Sequence, residues 1–339
     1  MVITKKYKVL LVLLCVFFIL PVSCFGYYQL DLEPVQWDSG EGKTYDPFSL
    51  TRYVQKIPAQ VYFDKVSVSD VFIAFSKGGA GEYDRNFATG SLSGRDIDTQ
   101  MTQPLGYDRK ARRGEFAIDY QLYGSSETLI PLKGLPEAQN SQDVLNYSFL
   151  GSESAPLRLN YYLVVAPGQV VPPGSYVDVF TVTLYQGNIN NPYSATILDQ
   201  VQVKLTIDVK EEMRYVLKGI RTKDNELMPL EFGALETGKV KKLDVAVYSN
   251  VPYVLQFTSK NQGVFKHKSQ EVKTSLPYEV TFESQVASFK KDELITVMST
   301  SNLTDKLGRI YRFEFKLDNT SSLLSGEYSD QILWNFKPL

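Results

Sequence analysis

The fold turns on Val165 to Gly187, VAPGQVVPPGSYVDVFTVTLYQG. Pro172-Pro173-Gly174 is turn chemistry: Pro173 presets φ, and Gly174 accepts a positive φ. The residues then alternate. Tyr176, Asp178, Phe180, Val182 and Leu184 share one face; Val177, Val179, Thr181, Thr183 and Tyr185 share the other. β-branched and aromatic side chains on both faces predict a strand with at least one side buried. The same device returns further on. Gly326-Glu327-Tyr328-Ser329-Asp330 repeats the Gly-x-Tyr-x-Asp spacing of Gly174 to Asp178. Ile332, Trp334 and Phe336 then stand in register with Phe180, Val182 and Leu184. One chain therefore carries two units that close with the same kind of strand.

Its 339 residues give room for two domains of ordinary size. A hydrophobic content of 43% suffices for packed cores, and 22 Tyr with 19 Phe favour strands over helices. No convincing amphipathic helix is found. The net charge of −2 argues against a nucleic-acid partner or general binding to an anionic membrane.

Residues 1–26 read as an export signal: Lys5, Lys6 and Lys8, then the apolar run Val9 to Val22, then Ser23-Cys24-Phe25-Gly26. Cleavage removes three lysines and no acidic residue, taking the charge from −2 to −5, and removes both cysteines, Cys15 and Cys24. A mature chain without disulfides must rely on core packing and sheet hydrogen bonds. Pro21-Val22-Ser23-Cys24 also loosely resembles a lipoprotein box, so lipidation of Cys24 is a second reading.

Tyr28, Leu30 and Leu32 alternate with polar residues before Pro34. They form either a first edge strand or a donor strand that adds to another subunit's sheet. Strands are expected at Ile57 to Phe63, Val66 to Ser76, Phe116 to Tyr123, Leu157 to Val165 and Val201 to Ile207. Residues 80–114 form a long polar connection ending in Arg109, Lys110, Arg112 and Arg113. That cluster is either a solvated loop or a grip on an anionic surface or glycan. Residues 27–208 make the first domain and 209–339 the second, with the charged stretch Asp208 to Glu212 as linker. In the second, strands are expected at Met213 to Ile220, Leu230 to Phe232, Leu243 to Val247, Tyr253 to Thr258, Tyr278 to Phe282, Ile310 to Leu317 and the closing segment. The fold class is all-β: two tandem immunoglobulin-like sandwiches. A second echo supports the repeat, because Phe72 to Gly79 parallels Val254 to Gly263, with Phe75 matching Phe257.

Residues 45–187 resemble the spore coat protein U domain family, which also supplies subunits of archaic chaperone–usher pili. The match lies in Tyr45-Asp46-Pro47, Phe75 to Gly79, Tyr120 to Tyr123 and, most specifically, Val171 to Asp178. Asn250-Val251-Pro252-Tyr253 and Gly326 to Asp330 look like a second domain of the kind found in two-domain proteins of such systems. The resemblance implies an incomplete sandwich held by a periplasmic chaperone, passed to an outer-membrane usher, and completed by a strand from another pilus subunit. The physical basis is an unpaired sheet edge, whose open N–H and C=O groups template another strand. This chain lacks the cysteine pair of many members, and its two domains suit a tip or minor subunit that adheres to a surface or glycan. A free-standing secreted or lipid-anchored binding module is the alternative.

Little favours catalysis. His267 is the only histidine, Arg95 to Asp98 lacks the spacing of a calcium loop, and Gly78 to Gly81 lies in the wrong context for a phosphate loop. No cofactor or metal is expected.

Overall fold

The computed structural model describes residues 28–38, 44–63, 70–77, 109–127, 130–149, 155–191, 194–217, 230–269, 271–283, 285–287, 289 and 294–339. The export signal, most of the 80–114 connection, Val66 to Ser69 and Lys218 to Ile220 lie outside them. The described chain is all-β, with a 3-10 turn at Ser141–Asp143.

The first unit is one eleven-stranded, folded-over sheet. One layer runs β1 (Tyr28–Asp31), β4 (Val54–Phe63), β9 (Leu157–Val165), β7 (Phe116–Tyr123), β6 (Arg109–Arg113). The other holds β8 (Leu145–Ser148), β5 (Asp70–Phe75), β10 (Gly174–Gln186) and β11 (Thr196–Val209). Short β2 (Val35–Gln36) and β3 (Thr44–Tyr45) run parallel to β11. Strand β10 joins the layers. Its start meets β6 at Val177 and Arg112, and its end pairs with β5 from Val182 to Gln186. The core between the layers contains Leu30, Phe75, Tyr120, Tyr161, Leu163, Tyr176, Phe180, Val182, Leu184, Leu205 and Ile207, all buried. The sharp turn ahead of β10 falls at Pro167–Gly168, where Gly168 has φ +68°, while Pro173 makes only a bend into the strand.

The second unit follows at β12 (Met213–Leu217) and continues through β13 (Val240–Ser249), β14 (Tyr253–Ser259), β15 (Val264–His267), β16 (Ser275–Phe282), β17 (Gln285–Ala287), β18 (Ile295–Thr300), β19 (Arg309–Leu317), β20 (Tyr328–Ser329) and β21 (Ile332–Pro338). Its sheet order β12-β13-β19-β16-β15-β20 repeats β1-β4-β9-β7-β6-β10, and β18-β14-β21 repeats β8-β5-β10. Leu230 to Phe232, expected as a strand, is irregular; its apolar side chains pack on the core as a loop. Strands β8, β15, β17 and β18 were not anticipated, being short or polar on one face.

The repeat holds residue by residue. Val182 sits opposite Phe75 and Leu184 opposite Ile73; Trp334 sits opposite Phe257 and Phe336 opposite Leu255. Tyr120 donates to Asp178 at 2.7 Å, and Tyr278 donates to Asp330 at 2.6 Å. Tyr176 reaches back to the Pro172 carbonyl at 2.8 Å, as Tyr328 does to Leu324 at 3.0 Å. Such backward tyrosine bonds fix the corner where a sandwich chain changes layers.

Candidate functional site

Among the described residues, the two units differ most at the strand beside the closing one. In the first, β11 pairs along the whole of β10, from Gly174 opposite Val209 to Gln186 opposite Thr196. Its Val203, Leu205, Ile207 and Val209 close the core. In the second, β21 pairs with β14 alone among the described residues, and none of them does the work of β11. A row of backbone N–H and C=O groups is left along the free edge of β21.

Side-chain burial reports the same gap. Phe180, Val182 and Leu184 are buried, whereas their counterparts Ile332, Trp334 and Phe336 are half-buried. Across the gap lies β12, the counterpart of β1. Matching the registers Leu30 with Val61 and Tyr215 with Val247 makes Tyr215 the twin of Leu30. Leu30 is 2% exposed; Tyr215 is 49% exposed. Taking a side chain of this size from exposed to buried is worth about 1.5–3 kcal/mol, so covering the slot is worth several. Met213 and Leu217 line the β12 side, and Trp334 lies against Phe257 and Phe313 at its floor.

The residues singled out from sequence fall elsewhere. Tyr28 and Leu30 pair with Phe63 and Val61 in their own unit, are buried there, and Leu32 packs beside them. The segment serves its own sheet as an edge strand. Arg109, Lys110, Arg112 and Arg113 belong to strand β6 rather than to a loop. Arg109 is 2% exposed and donates to the carbonyls of Phe75 (2.8 Å), Leu132 (3.2 Å) and Ser76, with Gln121 Oε1 at 3.3 Å and the Phe180 ring 5.5 Å away. It ties β5, β7 and the segment after it, and no surface can reach it. Arg113 donates to the Pro173 carbonyl at 2.6 Å, and Lys110 lies 3.9 Å from Asp119. Burial pushes the Asp119 carboxyl up, against the pull of Lys110 and Arg112.

Gly174 and Gly326 keep their places for a shared steric reason. A Cβ at Gly174, φ +130°, would meet the Arg113 guanidinium; one at Gly326 would meet the His267 ring. His267 ends β15 opposite Tyr328 of β20 and is half-buried: Nδ1 accepts from Ser269 N–H at 3.0 Å, so Nε2 carries the proton facing the Ser325 carbonyl at 3.2 Å.

Among the described residues there is no group of three or more His, Cys, Asp or Glu placed to hold a metal, and no helix long and apolar enough to cross a membrane. Fold and site together define a two-unit β chain in which, among the described residues, the closing strand is flanked on both sides in the first unit and on one side in the second.

No family model matches the chain, and no curated protein matches it. Among solved structures it is similar to the chaperone–tip adhesion subunit complex CsuC–CsuE of archaic Csu pili from Acinetobacter baumannii, at 12% identity over 84% of this chain and 91% of that one, TM-score 0.38. It is also similar to the CupB6 tip adhesin from Pseudomonas aeruginosa, at 8% identity over 92% and 93%, TM-score 0.40. The enterotoxigenic E. coli adhesin CfaE, as a G168D mutant, aligns at 10% identity over 93% and 81%, TM-score 0.31. Superpositions this loose assign nothing to this chain.

Proposed function

We propose that this chain is an exported adhesive subunit of a chaperone–usher type surface fibre, with its second unit completed by a strand from a neighbouring subunit. One observation carries the reading: the second unit repeats the strand order of the first in both layers, and among the described residues its closing strand has no counterpart of β11. An open apolar slot with an unpaired backbone edge suits one occupant, an extended segment with aliphatic residues at alternate positions. The first unit supplies the pattern in Val201, Val203, Leu205, Ile207 and Val209. Before assembly the same slot would be covered by a periplasmic chaperone, and an outer-membrane usher would exchange one strand for the other. The closed first unit is left to present binding loops, at the tip or in a minor position. Deleting residues 82–106 tests the adhesive surface while sparing β6.

A synthetic peptide of residues 199–209 serves as a surrogate donor. At a hundredfold excess over its Kd it stabilises the second unit by about 2.7 kcal/mol. The melting temperature of the second transition rises by several degrees, and a peptide with Lys at 203, 205 and 207 gives no rise. An unchanged melting temperature at saturating peptide contradicts the reading.

A further inference from the structure

Strand β12 has a different task on each face. Neighbouring residues of a strand point to opposite sides, and Arg214 and Tyr215 are neighbours. Tyr215 turns inward and stacks on Phe336 of β21, ring centroids 4.1 Å apart and planes at 16°. That stack bridges the gap that β11 fills in the first unit. Arg214 turns outward to the junction between the units. Its guanidinium lies 5.6 Å from the Phe48 ring of the first unit and 5.1 Å from the Tyr248 ring of the second, and those rings meet edge to face at 5.7 Å.

The approach to β12 is fastened as well. Lys210 lies 3.0 Å from Glu212 and 3.5 Å from Asp46 of the first unit. Fully buried Asn250 accepts from Glu212 N–H at 2.8 Å, and donates to the carbonyls of Lys210 (2.9 Å) and Val171 (3.2 Å). What position β12 takes is therefore set by the junction at one end and by an aromatic stack across the slot at the other.

From this geometry we infer that Tyr215 gates the slot, and that strand uptake is coupled through β12 to the junction between the units. The inference rests on the reading that the slot accepts a strand. In the closed unit the twin of Tyr215, Leu30, touches the completing strand directly, its N–H donating to Asp199 at 2.7 Å. An incoming strand occupies that position in the second unit, so the Tyr215–Phe336 stack must part and β12 must shift. Arg214 shifts with it. The chain thus has two states, stacked when free and strand-filled when bound, which differ in contacts at both sites. Coupling of that kind is reciprocal: whatever loosens the clamp at Phe48 eases strand entry, and a bound strand loosens the clamp.

The test follows uptake of a fluorescent peptide of residues 199–209 by the full chain in stopped flow. Tyr215→Ala takes up the peptide faster than wild type, while Tyr215→Phe, which keeps the stack, matches wild type. Phe48→Ala, in the other unit and away from the slot, speeds uptake by about two- to fivefold. Phe48→Leu, which keeps the apolar packing without the ring, does the same and guards against a folding defect. Wild-type uptake rates in both Phe48 variants overturn the coupling and leave the slot standing. Absence of uptake in every protein, wild type included, overturns the slot and the gate together.

Discussion

Asp178 is 3% exposed, and its carboxylate accepts from the Tyr120 hydroxyl at 2.7 Å and from Val179 N–H at 2.8 Å. Its twin Asp330 has more donors: Tyr278, Ser259, Asn261 N–H at 3.0 Å and Gln331 N–H at 2.7 Å. Burial pushes both phenols up, Tyr120 and Tyr278, with the neighbouring carboxylates adding to the rise. Removing one hydroxyl takes the donor from buried Asp178 Oδ2, leaving Val179 N–H on Oδ1, whereas Asp330 Oδ2 keeps Ser259. Tyr120→Phe is therefore expected to cost about 1–3 kcal/mol, and Tyr278→Phe clearly less, in urea unfolding of each unit. The Gly-x-Tyr-x-Asp spacing was legible from sequence because each residue has a local reason: a glycine where another side chain crosses, a tyrosine that reaches back, an aspartate facing inward. Arg109 was not. A cationic residue beside Lys110, Arg112 and Arg113 looks solvated, and only the gathering of β5, β7 and the segment after β7 around it brings four acceptors to it.

Among the elements, the segment between β7 and β8 covers the outer side of β5, burying Phe72 and Ala74 against its Ala138 and Val144, with Ile189 from the loop after β10 beside them. Asp143 holds that segment in place. Its buried carboxylate accepts from Gln139 and Asn140 N–H at 3.0 and 3.1 Å and faces Lys133 at 2.8 Å. Burial alone would raise its pKa, but Lys133 and the two amides outweigh it and hold the carboxyl below its usual range. A depressed folded value gives stability that is present above the unfolded pKa of about 3.9 and lost as pH falls through the folded one. Asp143→Asn is expected to lower the melting temperature at pH 7 and to flatten its fall below about pH 4, measured by circular dichroism from pH 2 to 7. The β10 and β21 strands announced themselves by strict alternation. The likeness of β12 to β1 did not, since Met213, Tyr215 and Leu217 share only a leucine with Tyr28, Leu30 and Leu32, and register alone equates them. Strand β18, ITVMST, was hidden because a register shift in its pairing with β14 breaks the simple alternation.

At the scale of the whole molecule, two copies of one architecture have been put to different ends. The first closes on itself with β11, and buried Arg109 fastens β5, β7 and the segment after it. The second keeps its slot half-filled with Tyr215, Trp334 and Phe336. Repetition was readable in the residues themselves; which described unit has a strand beside its closing one was not, because pairing is set by register rather than by composition. It emerged only when the sheet orders could be laid side by side.

Amide hydrogen exchange on the full chain, read for β21 against β10, tests that difference most directly. An open edge predicts that the alternate N–H groups of β21 pointing away from β14 exchange orders of magnitude faster than their β10 counterparts bonded to β11, and gain protection when the 199–209 peptide is added. Equal protection of the two strands in the free chain would contradict an unfilled second unit.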